Sequence, residues 1–317
     1  MRMKRYLFVA AALIAVLSCT KKGGNGDEDL NKPVFTWEAN PNFGPLEIEE
    51  EMHSQIDISA PLGVASFTVT FSTLPVELIG VVNSVISDVK NKATSSKPAV
   101  FDLVNDTKLA QRMADMHIIS PAGAKLAGAT SAKFDIGYLI KELCEGQLLE
   151  NGAKFGLDVA LVDQNANSLK KTATFNWTAP PDVVFDPDEF TVELTEEKDS
   201  YPVVVRITAP GKIEDVIVSF LPGEMGKDPD AGIVAFIKSY TKQEASFSLT
   251  EQPKVASVLG LPSTELKGKT SAELNLNTLL SNLALQATGG GTRTLLSVEV
   301  LDALGKVTAD GIAIVVP

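Results

Sequence analysis

Cysteine, histidine and tryptophan are scarce in this chain, two of each among 317 residues. That scarcity removes several kinds of chemistry at once. His53 lies in an acidic turn and His117 between Met116 and Ile118, and neither has a metal-ligand neighbour at helical or short-loop spacing. A zinc site and a histidine-based triad therefore find no support. Gly-x-Ser-x-Gly and phosphate-loop patterns are absent, and Gly289-Gly290-Gly291 lacks the strand-to-helix setting of a phosphate cradle. Positive charge is in deficit, with 28 Lys and Arg against 40 Asp and Glu and a formal charge of −12. A surface of that sign repels phosphate backbones, which argues against nucleic acid as a partner. Long apolar runs are lacking too. The run Leu7 to Leu17 has eleven residues, whereas a membrane-spanning helix needs about 20.

What surrounds that short run is informative. Met1-Arg2-Met3-Lys4-Arg5 puts three positive charges ahead of it, and Val16-Leu17-Ser18-Cys19 closes it. A basic head, a short apolar core and a small residue before the cut are the parts of an export signal. The closing four residues resemble the lipobox of bacterial lipoprotein precursors. The resemblance implies cleavage of residues 1–18, a diacylglycerol on Cys19 and anchoring in the outer membrane. Each buried methylene contributes about 0.8 kcal/mol, so several acyl chains hold a protein on a membrane. Loss of the three signal cations takes the formal charge from −12 to −15 (−12 − 3). Lipidation leaves Cys144 alone, so no intrachain disulfide can form even in an oxidising compartment. Cys144 follows the apolar face of a predicted helix and reads as a small buried hydrophobe. Residues 19–32 are polar and glycine-rich, a flexible tether. This start is similar to that of Bacteroidota lipoproteins, where acidic residues soon after the cysteine imply display on the cell surface. Here Lys21 and Lys22 come first and the acidic run starts at Asp27, so a surface and a periplasmic position both stay open.

The remaining length suits two domains of ordinary size, and the second half repeats the first. Asn40-Pro41-Asn42 aligns with Asp186-Pro187-Asp188 at an offset of 146, and Phe101-Asp102-Leu103 with Phe247-Ser248-Leu249. Ile58-Ser59-Ala60-Pro61 matches Ile207-Thr208-Ala209-Pro210, and Leu161-Val162-Asp163 matches Val300-Leu301-Asp302 at an offset of 139. Module 1 spans 33–180 and module 2 spans 181–317, meeting near Thr178-Ala179-Pro180-Pro181. Segments 55–59, 66–71, 155–161 and 172–177 alternate apolar and polar residues, the period of a half-buried strand. The last two in each copy, with a turn at Asp163 to Asn167 or Asp302 to Gly305, form a closing hairpin. That hairpin resembles the final strands of bacterial immunoglobulin-like domains. The expected fold is mainly β: two tandem immunoglobulin-like β-sandwiches with inserted short helices.

Helical periodicity marks Ile136, Leu139, Ile140 and Leu143 behind an N-capping Asp135, and Leu276, Leu279, Leu280 and Leu283 behind Asn275. Further helices are expected at 76–90 and 230–240. Their stripes pack on the sandwich or form an exposed partner groove. Calcium is the one cofactor the residues suggest, at Asp182, Asp186, Asp188 and Glu189 by the junction, with Asp228 and Asp230 a weaker group. The same run also reads as a turn and a solvated face. A glycan platform would fall to Trp37 and Trp177, although both also suit core or junction packing. The expectation is a non-enzymatic cell-envelope lipoprotein that binds a protein or a glycan. A structural or assembly subunit of a surface appendage is the alternative, and a carbohydrate-active enzyme the third reading. A glycan binder would present Trp37, Trp177, Tyr201 or Tyr240 to solvent. An assembly module would show an open sheet edge or apolar groove, and an enzyme a cleft of converging carboxylates or histidines.

Overall fold

A computed structural model describes residues 31–317 apart from 122–124, 189–190, 196–199, 224–227, 242–244, 262–265 and 289. The export signal, Cys19, most of the tether and Glu189 lie outside the described residues.

The first half forms two sheets. One orders β1 (Val34–Thr36), β3 (Gln55–Ser59), β7 (Ser131–Asp135) and β6 (Ile119–Ser120) as β1-β3-β7-β6. The other orders β2 (Pro45–Glu47), β9 (Ser168–Asn176), β8 (Lys154–Asp163), β4 (Val64–Thr73) and β5 (Val100–Asp102) as β2-β9-β8-β4-β5. All pairs are antiparallel except β2 with β9. This is an immunoglobulin-type sandwich, A-B-E-D facing A′-G-F-C-C′, with one edge segment split between the sheets. Strand alternation puts Phe67, Val69 and Phe71 inward along β4 and Phe155, Leu157, Val159 and Leu161 inward along β8. Phe71 meets Phe101 edge to face, with ring centroids 4.9 Å apart.

The second half repeats this order, except that the described residues include no counterpart of β6. Strands β10 (Asp182–Asp186), β12 (Val204–Thr208) and β15 (Ser271–Asn275) make one sheet. Strands β11 (Thr191–Glu193), β17 (Val307–Val316), β16 (Thr292–Asp302), β13 (Ile213–Pro222) and β14 (Ser246–Ser248) make the other, again with a parallel first pair. The buried apolar residues fall into two clusters, one running from Phe35 to Phe175 and one from Val183 to Ile314. Each copy therefore encloses its own core.

Helices fill the same connections in both copies: α1 (Ile79–Val85) and α4 (Ala231–Thr241), α2 (Thr107–Asp115) and α5 (Pro253–Val258), α3 (Ile136–Cys144) and α6 (Asn277–Ala284). The Asp135 carboxylate accepts the Tyr138 N–H at 2.9 Å and so starts α3. Ile136, Leu139, Ile140 and Leu143 are all buried, as are Leu276, Leu279, Leu280 and Leu283. These stripes are core, each side chain contributing about 1.5–3 kcal/mol of burial, and they form no exposed groove. The helix expected over 76–90 is a correction. It breaks into a short turn, α1 and a second turn at 89–91, because Ile86 turns extended and buries. Asp106 holds that break. Its carboxylate takes the N–H groups of Ser87 and Asp88 and also caps α2 through Leu109.

His117 has a structural role of the same kind. It stands just past α2 with φ +60°, its N–H on Ala114 O and the Ile118 N–H on Met113 O. In copy two Gly260, φ +74°, does the same past α5, with Leu261 on Ala256 O. Both are Schellman closures, where a left-handed residue is required and glycine is the usual choice.

Candidate functional site

Four aspartates are buried among the described residues: Asp106, Asp163, Asp230 and Asp302. Each is engaged by backbone N–H groups. Asp230 starts α4 by accepting the Ile233 N–H at 3.0 Å and also takes the Thr292 hydroxyl. Asp163 accepts the N–H groups of Asn165 and Asn167 and the Asn167 side-chain amide at 2.8 Å. Burial pushes the Asp163 and Asp106 carboxyls up, but these donors outweigh it and hold both below the usual carboxylate value. Such carboxylates stay ionised acceptors and do not serve as proton donors near neutral pH.

His53 is exposed, with Nδ1 2.9 Å from Asp135 Oδ2 and its ring stacked on Tyr138 at 5.0 Å. It is a surface pair on a helix cap.

The suggested calcium residues are not brought together. Asp182 and Asp186 begin and end one strand, four residues and therefore roughly 13 Å apart. Asp186 is bound to Arg206 at 2.6 Å. Asp188 is exposed and Glu189 lies outside the described residues. The second group separates too, since Asp228 is exposed while Asp230 is fully buried as a cap. Among the described residues no group of three or more His, Cys, Asp or Glu is placed to hold a metal ion.

The aromatic residues are mostly internal. Trp37 is 1% exposed, its Nε1 donating to Ser54 Oγ at 2.6 Å and its ring against Phe43 and Phe175. As a ligand platform Trp37 is a correction: its faces are used in packing. Tyr201 is also 1% exposed, and its hydroxyl bridges the N–H and C=O of Thr195. Tyr240 is 39% exposed and packs edge to face on Phe236.

Trp177 lies where the modules meet. The turn after β16 seats against module 1, with the Glu50 N–H on Leu304 O at 3.1 Å. From that turn Lys306, 2% exposed, places Nζ 3.7 Å from the centre of the Trp177 ring and donates to Thr178 O. Beside it is a cavity of about 270 Å³ lined by Ile48, Glu50, Cys144, Leu149, Trp177 and Lys306. Leu148, 97% exposed, stands at its rim. Burial pushes the Lys306 ammonium down, opposed by Asp302, Cys144, Glu50 and Glu47. Burial pushes the Cys144 thiol up to about 12, with only Lys306 acting the other way. The cavity has room for a small group. Glu49, Lys141, Glu145 and Gln147 line it too, so the apolar side chains and a thiol kept protonated share the space with carboxylates and a second ammonium.

Thiol labelling checks this. A rise from 9.0 to about 12 lowers the thiolate fraction about 1000-fold at neutral pH. With Cys19 replaced by alanine, native protein should take up iodoacetamide at least about that much more slowly than urea-unfolded protein. Comparable rates would mean that Cys144 is accessible. The same shift has a sign for stability: the protonated thiol favours the fold fully below pH 9, and that contribution falls as pH rises towards 12.

No helix among the described residues is long and apolar enough to cross a membrane. No protein-family model matches the chain, and no curated protein matches it. Solved structures do. The chain is similar, at 12% identity and a TM-score of 0.25, to dimeric latent PorU from Porphyromonas gingivalis, over 93% of this chain and 22% of that one. It is similar, at 12% identity and a TM-score of 0.26, to a Ca2+-stabilised adhesin with which an Antarctic bacterium binds ice, over 89% of this chain and 48% of that one. A third likeness, at 9% identity and a TM-score of 0.24, is to the major pilin subunit of Bacillus cereus, over 90% of this chain and 67% of that one. The chain spans about a fifth of the first and about half of the second.

Proposed function

We propose that this chain is a lipid-anchored cell-envelope protein whose two sandwiches form a non-catalytic binding or adhesion module for a protein ligand. The observation that carries the reading is the use made of the buried carboxylates. Asp106, Asp163, Asp230 and Asp302 are all engaged by backbone N–H groups at helix starts and turns. They serve the architecture, and the sheets and loops around them are left for contact. The lipobox at Leu17-Ser18-Cys19 and the polar residues after it supply the anchor and tether.

A protein ligand is favoured over a glycan because Trp37 and Tyr201 are buried and Trp177 lies beneath Lys306. Sugar rings stack on open aromatic faces, and of these four residues Tyr240 is the most open. A structural or assembly subunit of an appendage is the second reading, favoured by the engaged junction between the modules.

The test is adherence of cells producing the full chain to immobilised envelope or host proteins, before and after periodate oxidation of their glycans. Adherence that survives periodate and is lost in Cys19→Ala cells supports the reading. Adherence abolished by periodate would instead indicate a glycan ligand. Turnover of an oligosaccharide or peptide by the purified chain would overturn the non-catalytic assignment.

A further inference from the structure

The two copies differ where it matters at their junction. The turn Asp163 to Asn167 in module 1 corresponds, at an offset of 139, to Asp302 to Lys306 in module 2. In both, the first aspartate accepts the N–H groups two and four residues on. In module 1 the residue four on, Asn167, turns its amide back onto the other oxygen of Asp163. In module 2 that residue is Lys306, which points away and over Trp177. The Asp302 Oδ2 is buried without a hydrogen-bond partner among the described residues. Burial of an ammonium and an unmatched carboxylate oxygen are both costs, so stability of the turn does not explain the lysine. The far end of the junction differs as well, since Trp177 and Thr178 correspond to Val316 and Pro317. Trp177 Nε1 is itself without an acceptor among the described residues, so the indole meets module 2 through its ring.

We propose that Lys306 is the latch that holds module 2 on module 1, and that the Asn167/Lys306 and Val316/Trp177 differences make this docking one-way. The head of module 2 fits the tail of module 1. At the equivalent positions the head of module 1 has Asn167 in place of the cation, and the tail of module 2 has Val316 in place of the ring. This pair of contacts is thereby specific to the junction of module 1 with module 2. A desolvated ammonium on an indole face is among the stronger cation–π arrangements, and its bond to the Thr178 carbonyl is charge-assisted.

The test is amide hydrogen exchange in the full chain bearing Lys306→Asn, which places at this turn the residue module 1 uses. The Glu50 N–H, bonded across the seam to Leu304 O, should lose protection about tenfold or more. The amides of Leu304 and residue 306, bonded to Asp302 within the turn, should keep theirs. Trp177→Leu should reproduce the Glu50 loss, and Trp177→Phe, which keeps a ring face, should largely restore it. Unchanged Glu50 protection in Lys306→Asn would overturn the latch. Equal loss at Glu50 and within the turn would reduce Lys306 to a folding role, and that outcome also counts against it. Neither outcome bears on ligand adherence, so the proposed function stands or falls separately.

Discussion

Replacing Trp37 by alanine should cost module 1 about 3–5 kcal/mol, the usual range for truncating a large buried aromatic. Small domains hold only about 5–15 kcal/mol in all, so much of the module's stability would go. Three contacts disappear together. The indole fills space between Phe43, whose ring centroid is 5.0 Å away, and Phe175 at 6.2 Å. Its Nε1 donates to Ser54 Oγ, and Ser54 is itself buried, so the hydroxyl loses a donor it cannot replace from water. The Ser54 N–H then meets Asp135, the cap of α3, so damage passes from the segment after β1 to the helix. Urea unfolding followed by circular dichroism measures the loss. A variant of unchanged stability that had lost ligand adherence would return Trp37 to a binding surface and contradict its placement in the core.

Gly232→Ala should be nearly as damaging, against the ordinary preference of helices. Alanine in a helix is normally favoured over glycine by about 1 kcal/mol. At this position a Cβ would fall 2.0 Å from the Gln286 carbonyl oxygen and 2.9 Å from the Thr288 side chain. The nearest obstacle is backbone, so it cannot turn aside as a side chain would. Gly232 lies in the first turn of α4, just after Asp230, whose carboxylate also takes the Thr288 N–H at 3.3 Å and the Thr292 hydroxyl at 3.0 Å. Relief of the overlap would pull the helix start away from these partners. The expected loss is about 3 kcal/mol, at the upper end for overpacking, read as a lower urea midpoint. A gain in stability would show that α4 and the segment after α6 do not approach this closely.

Much of this architecture can be read from residue patterns, because periodicity is a direct image of burial. Segment 55–59 alternates and is β3; the stripes of Leu139 and Leu280 recur at helical spacing and are buried in α3 and α6. The duplication is legible for the same reason, and it predicts that strand order and pairing recur, as they do but for β6. Other features leave no such trace. Val76 to Lys90 has the composition of one helix, but burial of Ile86 and the pull of Asp106, eighteen or nineteen residues on, break it. His117 and Gly260 look unrelated in sequence, yet both close a helix with positive φ. The acidic run 182–189 gives no hint that Asp182 and Asp186 stand at the two ends of one strand. The junction is the least legible of all. A lysine in a turn ordinarily reads as solvated, and nothing local to Lys306 says that a tryptophan far earlier in the chain covers it.

The central claim, that two copies of one sandwich are locked into a single unit through Lys306 and Trp177, is tested most directly by a distance distribution between them. Spin labels at Lys108→Cys and Lys254→Cys, in the Cys19→Ala background, occupy equivalent exposed positions on α2 and α5, while buried Cys144 stays unlabelled. Pulsed dipolar spectroscopy should give one narrow distribution for this protein and a broad one once Lys306→Asn is added. A broad distribution with Lys306 in place, or a narrow one unchanged by its loss, would contradict the account.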